Sequence, residues 1–150
     1  MKRLLQQPSL VGIASVVLCM VLSSFLIKRG GDSYTISING KQVIQFYALS
    51  KEALPSLAIN PNAEDKLSVY FNECGKIGKS RSLSVRDDQG NVLKEWNYAN
   101  ALDEHTPMTL SSNEINVNGS VGLYYTSMTV TTPRKLVTLV AGNTTSARLK

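Results

Sequence analysis

Residues 33–49, with the sequence SYTISINGKQVIQFYAL, decide the fold of this chain. Two runs rich in β-branched and aromatic residues flank the pair Asn39-Gly40. Both members of this pair tolerate a positive φ, and Asn-Gly between such runs is the strongest short signal for a β-hairpin. The sequence therefore predicts two antiparallel strands joined by a two-residue loop, with Ile36 opposite Val43.

Short runs of the same kind continue along the rest of the chain. Residues 66–73 place Leu67, Val69 and Phe71 on one face of a strand, because alternate strand residues point to the same side. Further strands are predicted at residues 80–86, 91–98, 114–117, 121–131 and 135–140, with turns at 87–90, Asn118-Gly119 and Pro133-Arg134.

The strands at 80–86 and 91–98 are predicted to form a second hairpin. With Arg86 opposite Asn91, one face carries apolar side chains interrupted by Lys94, namely Leu83, Val85, Val92 and Trp96. An apolar face of this kind is typical of a sheet that packs against another sheet.

Seven or eight short strands predict an antiparallel β-sandwich over residues 33–150. Residues 67–96 resemble the hairpins of immunoglobulin-like or transthyretin-like bacterial surface domains. This resemblance concerns architecture, implies a cell-envelope setting and carries no functional residues across. Only Ser50 to Leu57 looks helical, as a short connector, and residues 142–150 are predicted to fray.

Upstream of the domain lies an apolar segment, Leu10 to Ile27, with eighteen uncharged residues between two basic pairs. As a helix it would span roughly 27 Å, close to the thickness of a bilayer core when flanking lysine and arginine side chains snorkel. We predict a transmembrane signal-anchor at residues 10–29, after a basic tail at 1–9 and before a linker at 30–32. Small residues would let it pack closely against a partner helix, namely Gly12, Ala14, Ser15, Ser23 and Ser24.

A cleaved signal peptide is the alternative interpretation of this segment, since Lys2 and Arg3 precede it. No Ala-x-Ala site follows the segment, and Cys19 lacks the small residues that a lipoprotein site needs before it. We therefore favour an uncleaved anchor. A short basic tail stays in the cytoplasm more easily than it crosses, which predicts an extracytoplasmic domain, periplasmic in a bacterium.

The formal charge of +5 belongs mainly to the anchor region, because four of the sixteen basic residues flank the apolar segment and all eleven acidic residues follow it. From residue 32 onward, twelve basic residues nearly balance the eleven acidic ones. A near-neutral domain argues against nucleic acid as a partner. The two cysteines, Cys19 and Cys74, cannot form a disulfide within the domain, and we predict that Cys74 is buried.

Gly78-Lys79-Ser80 matches the end of a phosphate-binding loop, but a strand-like pattern follows it and Glu73 stands where a glycine is required. The sequence thus predicts no nucleotide binding. Basic residues around the two glycines could instead contact a phosphate headgroup or an acidic partner, as could the pair after the anchor; the candidates are Lys28, Arg29, Lys76, Lys79 and Arg81.

Metal and catalytic sites find little support in the sequence. His105 is the only histidine, and a set of His105, Cys74 and Met108 has too few strong ligands for zinc or copper. Residues 87–91 lack the spacing of a calcium loop, and 103–107 reads as a solvated turn. No nucleophile elbow or carboxylate pair is evident, so we expect no enzyme, no cofactor and no metal.

These observations favour a non-enzymatic, membrane-anchored accessory or scaffolding subunit of a larger cell-envelope membrane complex. Its expected partners are other membrane-protein subunits and the lipid bilayer. The alternative is a module that binds an envelope glycan or peptide through exposed aromatic side chains, for which the candidates are Tyr47, Tyr98, Tyr124 and Tyr125.

Overall fold

A computed structural model describes residues 31–47, 53–103, 105–117, 119–142 and 146–148 of the chain. The predicted anchor segment lies outside the described residues, together with its flanking candidates; these are Leu10, Gly12, Ala14, Ser15, Ser23, Ser24, Ile27, Lys28 and Arg29. No helix within the described residues has the length and apolarity needed to cross a membrane.

The described chain is mainly β, in two sheets, which confirms the predicted class. The strands are β1 (Ser33–Ile38), β2 (Lys41–Tyr47), β3 (Ser56–Ile59), β4 (Lys66–Asn72), β5 (Arg81–Arg86), β6 (Val92–Tyr98), β7 (Met108–Ser111), β8 (Ser120–Thr126), β9 (Arg134–Ala141) and β10 (Ser146–Arg148). The smaller sheet has the order β2-β1-β4-β7, and the larger has the order β10-β3-β9-β8-β5-β6. Strand β3 runs parallel to β9, so the larger sheet is mixed.

Apolar residues from both sheets form one buried core. A row of four aromatic rings crosses it, from Phe46 through Tyr34 and Phe71 to Tyr125, with centroid separations of 5.5, 6.3 and 4.0 Å. The Tyr34 hydroxyl donates to the backbone oxygen of Leu136 in the other sheet. The rings therefore join the two sheets through stacking and through a buried hydrogen bond.

The first hairpin forms around Asn39 and Gly40, both with positive φ, as predicted. Its register is one residue away from the expected one, because Ile36 lies opposite Ile44 rather than Val43. A β-bulge between Ile36 and Ser37 absorbs the extra residue. Without the bulge Gln45 would share the core face with Ile36; with it, Ile44 and Phe46 are buried instead.

Strand β4 buries Leu67, Val69 and Phe71, as predicted, but the second hairpin departs from its expected register. Arg86 lies opposite Val92 instead of Asn91, and a bulge places Leu83 opposite Trp96. Leu83 and Val85 are buried, whereas Val92 is 48% exposed. Val92 fails to join the core because β6 is the outer strand of the larger sheet.

The strand predicted at 114–117 is wrong. Residues 112–114 form a 3₁₀ turn, preceded by the unpredicted strand β7. The Ser112 hydroxyl donates to the Ala63 oxygen, and a Glu114 carboxylate oxygen accepts the Ser111 amide. These side-chain hydrogen bonds favour the turn over strand pairing.

One further boundary differs from the prediction. Strand β8 ends at Thr126 rather than 131, because the Ser127 amide bonds Val130 and the Ser127 hydroxyl oxygen accepts the Val130 amide. Strand β9 confirms the strand predicted at 135–140.

Two other predictions, the helical connector at 50–57 and the frayed tail at 142–150, concern segments that pair with each other in the larger sheet. Residues 50–52 lie outside the described part of the chain, and the rest contains no helical turn; Leu57 belongs to β3 and is fully buried. Strand β10 pairs with β3, so residues 146–148 are not frayed. Strand β3 lies between β9 and β10 in the sheet, so its pairing depends on residues near the C-terminus and its own four residues do not predict a strand.

Candidate functional site

Three loops form one end of the sandwich: residues 73–80, 127–133 and 99–107, the last described except for residue 104. We call this surface the three-loop end. The chain arrives here, because Ser33 at the start of β1 lies opposite the last residues of β2 and β4. Asp32 is fixed at this end by an ion pair with Arg134, the first residue of β9.

Hydrogen bonds tie the three loops to one another at Gly78 and Lys79. The Ala101 amide donates to the Gly78 oxygen at 2.8 Å, and the Met128 amide donates to the Lys79 oxygen at 2.9 Å. The Ser80 amide also donates to the Asn100 side-chain oxygen at 2.9 Å. The loops therefore form one connected surface.

The buried side chain of Arg81 fixes the loop at 99–107 from beneath the surface. Its side chain is 3% exposed, and its guanidinium donates to the Ala99 oxygen at 3.0 and 3.1 Å and to the Thr106 oxygen at 2.8 Å. The structure thus removes Arg81 from the predicted contact residues, because a buried group with these bonds cannot reach a headgroup or partner. Lys76 and Lys79 are exposed and remain candidates.

Gly78 has a packing role that explains the phosphate-loop-like sequence around it. A Cβ atom at this position would lie 2.8 Å from Cδ of Arg81 and 3.1 Å from the hydroxyl of Tyr125. Glycine is needed because the backbone passes directly over these two side chains. The strand β5 follows where a phosphate-binding loop requires a helix.

Glu73 is a buried carboxylate between the first and third loops. Tyr125 donates to one of its oxygens at 2.5 Å, and Thr129 donates to the other. Burial alone would raise the pKa of Glu73, but hydrogen bonds from Ser127, Thr129 and Tyr125 and the charge of Lys76 together hold it below its ordinary value. Burial of the Tyr125 hydroxyl, with a further contribution from Glu73, raises the pKa of Tyr125. The hydroxyl therefore keeps its proton and donates a hydrogen bond to Glu73.

Cys74 is exposed, and the prediction of a buried thiol is wrong. Cys74 and Gly75 have φ values of 48° and 79° and form the corner of a tight turn that Glu73 and Lys76 close by pairing. The corner of a two-residue turn points away from the strands, so this side chain cannot enter the core. A cleft of about 360 Å³ opens beside it, lined by Asp32, Glu73, Cys74, Lys76, Thr129 and Arg134 among others.

The three-loop end carries large apolar side chains in water. Ile77 is 54% exposed, Met128 68% and Leu102 86%, each from a different loop. At the opposite end, the turns expose polar residues instead, namely Asn39, Asn62, Gln89, Asn113 and Ser120. Sequence reasoning missed this patch, although isoleucine between Lys76 and Gly78-Lys79 was a signal of an apolar side chain in a loop.

A second surface is the outer edge of strand β6. Leu93 is 52% exposed and lies beside the exposed Val92. Among the described strands β6 pairs only with β5, so its other edge has no strand partner there. The bulge between Val85 and Arg86 disturbs this hairpin.

A third surface is a polar groove on the outer face of the smaller sheet. It has a volume of about 480 Å³, and its lining includes Ser33, Thr35, Ser37, Gln42, Tyr70, Asn72 and His105. Its side chains are almost all uncharged hydroxyl and amide groups, which suit a neutral polar ligand.

The four tyrosines considered for ligand stacking differ in exposure. Tyr47 is exposed, whereas Tyr125 is fully buried. Tyr98 and Tyr124 are half-buried, and Tyr98 donates to the Thr109 oxygen at 2.9 Å. Burial, with a contribution from Glu114, raises the pKa of Tyr98 to about 12. Tyr47 alone among them presents a mostly open ring.

The residues considered for metal binding are not brought into one shell. Met108 is fully buried in the core, while Cys74 and His105 are exposed. Within the described ranges no group of three histidine, cysteine, aspartate or glutamate side chains is close enough to hold a metal ion. Asp87 instead closes the predicted hairpin turn, accepting the Gln89 amide at 3.0 Å and the Asn91 amide at 2.8 Å.

Comparison with protein-family models gave no match, and comparisons with curated proteins and with solved structures gave none either.

Proposed function

We propose that this protein is a non-enzymatic, membrane-anchored accessory or scaffolding subunit of a larger cell-envelope membrane complex and acts through protein contacts. Residues 10–29 would form a single-pass anchor, and the domain would lie outside the cytoplasm. Within this proposal the two-sheet domain is an immunoglobulin-like or transthyretin-like sandwich. The observation that carries the proposal is the pair of exposed apolar residues, Val92 and Leu93, on the outer strand β6.

The outer strand offers two kinds of contact to a protein partner. Its free edge can pair with a strand of another chain, and the side chains of Val92 and Leu93 can enter an apolar pocket. Both residues lie away from the three-loop end, next to the 87–91 turn. A partner could thus bind there while the anchor holds the domain at the membrane.

The ionisable groups inside the domain support contact rather than chemistry as its role. Glu73 accepts hydrogen bonds on both carboxylate oxygens, and Arg81 donates to backbone oxygens of a neighbouring loop. Each group is engaged in holding loops together, although Glu73 also lines the cleft beside Cys74.

The test compares native complexes of the full-length protein in mild detergent. Leu93→Lys should release the protein from its complex, with a loss of about 2 kcal/mol, or roughly 30-fold in affinity, if Leu93 is a central contact. Asn97→Lys is the matched control, because Asn97 is an exposed residue of the same strand. Wild-type protein that migrates only as a free monomer would contradict the proposal.

Topology has its own test, a reporter fused after Lys150. An enzyme that is active only outside the cytoplasm should be active in this fusion. Activity of a cytoplasmic reporter at the same position would overturn both the proposed localisation and the proposed class of partner.

The alternative function, binding of an envelope glycan or peptide, is favoured by the polar groove beside Tyr70. Neutral hydroxyl and amide groups with a nearby aromatic ring are the groups that recognise sugars. Titration with peptidoglycan fragments should give saturable binding in the wild type and a loss in Tyr70→Ala. Tyr124→Ala, on the larger sheet, is the control and should bind as the wild type does.

A further inference from the structure

The exposed apolar residues of the three-loop end belong to one surface, although they are far apart in sequence. Ile77 immediately precedes Gly78, whose oxygen accepts the amide of Ala101, the neighbour of Leu102. The amide of Met128 itself donates to Lys79. Backbone hydrogen bonds therefore hold the three apolar residues in adjacent loops.

This surface is pre-arranged. The buried guanidinium of Arg81 fixes the loop that carries Leu102, and Glu73 joins the loop that carries Ile77 to the loop that carries Met128 through Thr129. Binding through these residues would order few additional groups, which favours association.

The place where the chain enters the domain points to the occupant of this surface. Asp32 lies at the three-loop end, and the chain before it contains an apolar segment long enough to cross a bilayer. From Arg29 to Asp32 the chain spans at most about 10 Å when fully extended. If residues 10–29 are anchored in a membrane, this end of the domain is held within reach of the lipid headgroups.

The exposed positive charge beside Ile77 is suited to anionic headgroups. Lys76 and Lys79 are exposed on either side of Ile77, and the charge of Arg134 is balanced by Asp32. The third loop holds the acidic residues Asp103 and Glu104, and Asp103 accepts bonds from the His105 amide at 2.9 Å and the Thr106 hydroxyl at 3.0 Å. The exposed positive charge therefore lies on the first loop, around Ile77. Apolar side chains flanked by lysines are typical of surfaces that settle into a membrane interface.

We infer that the three-loop end docks on the surface of a bilayer containing anionic phospholipid, with Ile77, Leu102 and Met128 at the interface and Lys76 and Lys79 beside the phosphates. This inference rests on the proposed membrane anchoring. It assigns the domain one orientation, with the 87–91 turn and the adjoining end of β6 facing away from the membrane.

The first experiment measures the depth of single tryptophans. The full-length protein, carrying Trp96→Phe to remove its natural tryptophan, is reconstituted in vesicles of phosphatidylcholine and phosphatidylserine that contain brominated lipid. In the variants Ile77→Trp and Met128→Trp, the emission should shift to the blue and its intensity should fall through contact with bromine. Asn113→Trp, at the opposite end, is the matched control and should keep its emission.

The second experiment tests the charge. Lys76→Glu combined with Lys79→Glu should reduce the quenching at Met128→Trp in vesicles that contain phosphatidylserine. Lys41→Glu combined with Lys66→Glu changes net charge equally at the far end of the domain and should leave that quenching unchanged. In vesicles of phosphatidylcholine alone, the two pairs should behave alike.

Flotation of the same samples separates failure of the anchor from failure of the docking. Protein that does not float with the vesicles overturns the proposed anchoring, and the docking with it. Protein that floats but shows no quenching at 77 and 128, or equal quenching at 113, overturns the docking alone. Burial of these tryptophans only when other membrane proteins are present would make a protein the occupant and would equally overturn it. Urea unfolding of each variant confirms that the fold is intact.

Discussion

At the scale of single residues, Glu73 is the group on which two loops depend. It closes the turn at Cys74 by pairing with Lys76 and receives hydroxyl hydrogen bonds from Tyr125 and Thr129. A charged acceptor is better matched to these donors than a neutral one, because a hydrogen bond to an ionised group is about twice as strong.

Glu73→Gln should therefore destabilise the domain by about 1–3 kcal/mol, since the amide leaves a buried hydroxyl facing a second donor. Glu95→Gln, an exposed change on β6, is the control and should stay within about 0.5 kcal/mol. Urea unfolding followed by circular dichroism measures both. A Glu73→Gln variant as stable as its control would show that the carboxylate contributes nothing.

The lowered pKa of Glu73 predicts how its contribution to the free energy of unfolding changes with pH. Because the folded protein holds the pKa below its ordinary value of 4.5, the stabilisation is fully present above that value. It is lost as the pH falls through the lower pKa of the folded state. The difference in unfolding free energy between wild type and Glu73→Gln should be constant near neutral pH and shrink below pH 4.5. A difference that grew on acidification would contradict the assignment.

Cys74 supplies a simpler test at the same scale. In detergent-solubilised, folded Cys19→Ser protein, a polar maleimide should label Cys74 at a rate close to that of the unfolded protein, because the turn exposes the thiol. Protection of the thiol until unfolding would mean that the turn is closed in solution.

The roles of Arg81 and Cys74 could not be predicted from their neighbours in the sequence. Lys76, Lys79 and Arg81 form a basic cluster along the chain, and only the first residue of β5 turns inward to meet the loop at 99–107. Contacts made by residues eighteen or more positions away decide its burial. Cys74 differs, because the following Gly75 was a local signal for a turn.

At the scale of elements, the bulge in the first hairpin decides which residues of β2 face the core. Deleting Val43 should remove the bulge and leave Ile44 opposite Ile36, with a loss of about 1 kcal/mol for a half-buried side chain. Deleting Gln45 should turn Phe46 outward and cost at least about 2 kcal/mol. Thermal unfolding compares the two, and equal losses would show that register does not depend on Val43.

The existence of most strands was readable from alternation and turn residues, while their registers were not. Both hairpins contain a bulge, which adds one residue to a strand and shifts the register. Strict alternation without the bulge would place a polar or exposed side chain on the core face. Strands β3, β7 and β10 were missed because each has three or four residues, too few for a period to show. For the candidate site, the sequence indicated Lys76 and Lys79 as contact residues. It did not indicate that three loops lie together at this end of the domain.

At the scale of the whole molecule, the buried core formed by the described residues lies within residues 34–139. A fragment starting at Asp32 should therefore fold as a soluble, β-rich monomer with one cooperative unfolding transition, without metal or disulfide. Circular dichroism and analytical ultracentrifugation test this, with chelator and reductant as controls. Unfolding in two separated transitions would contradict it.

The parallel pairing of β3 with β9 means that β3 cannot complete its sheet until late in the synthesis of this domain. Ser56 of β3 must wait for Thr138, which lies 82 residues further along the chain. At about 5–20 residues per second, that delay is roughly 4–16 s of synthesis. Throughout it Leu57 and Ile59 have no place to bury, so a nascent chain stalled before residue 134 should be a client for chaperones that the finished chain no longer needs.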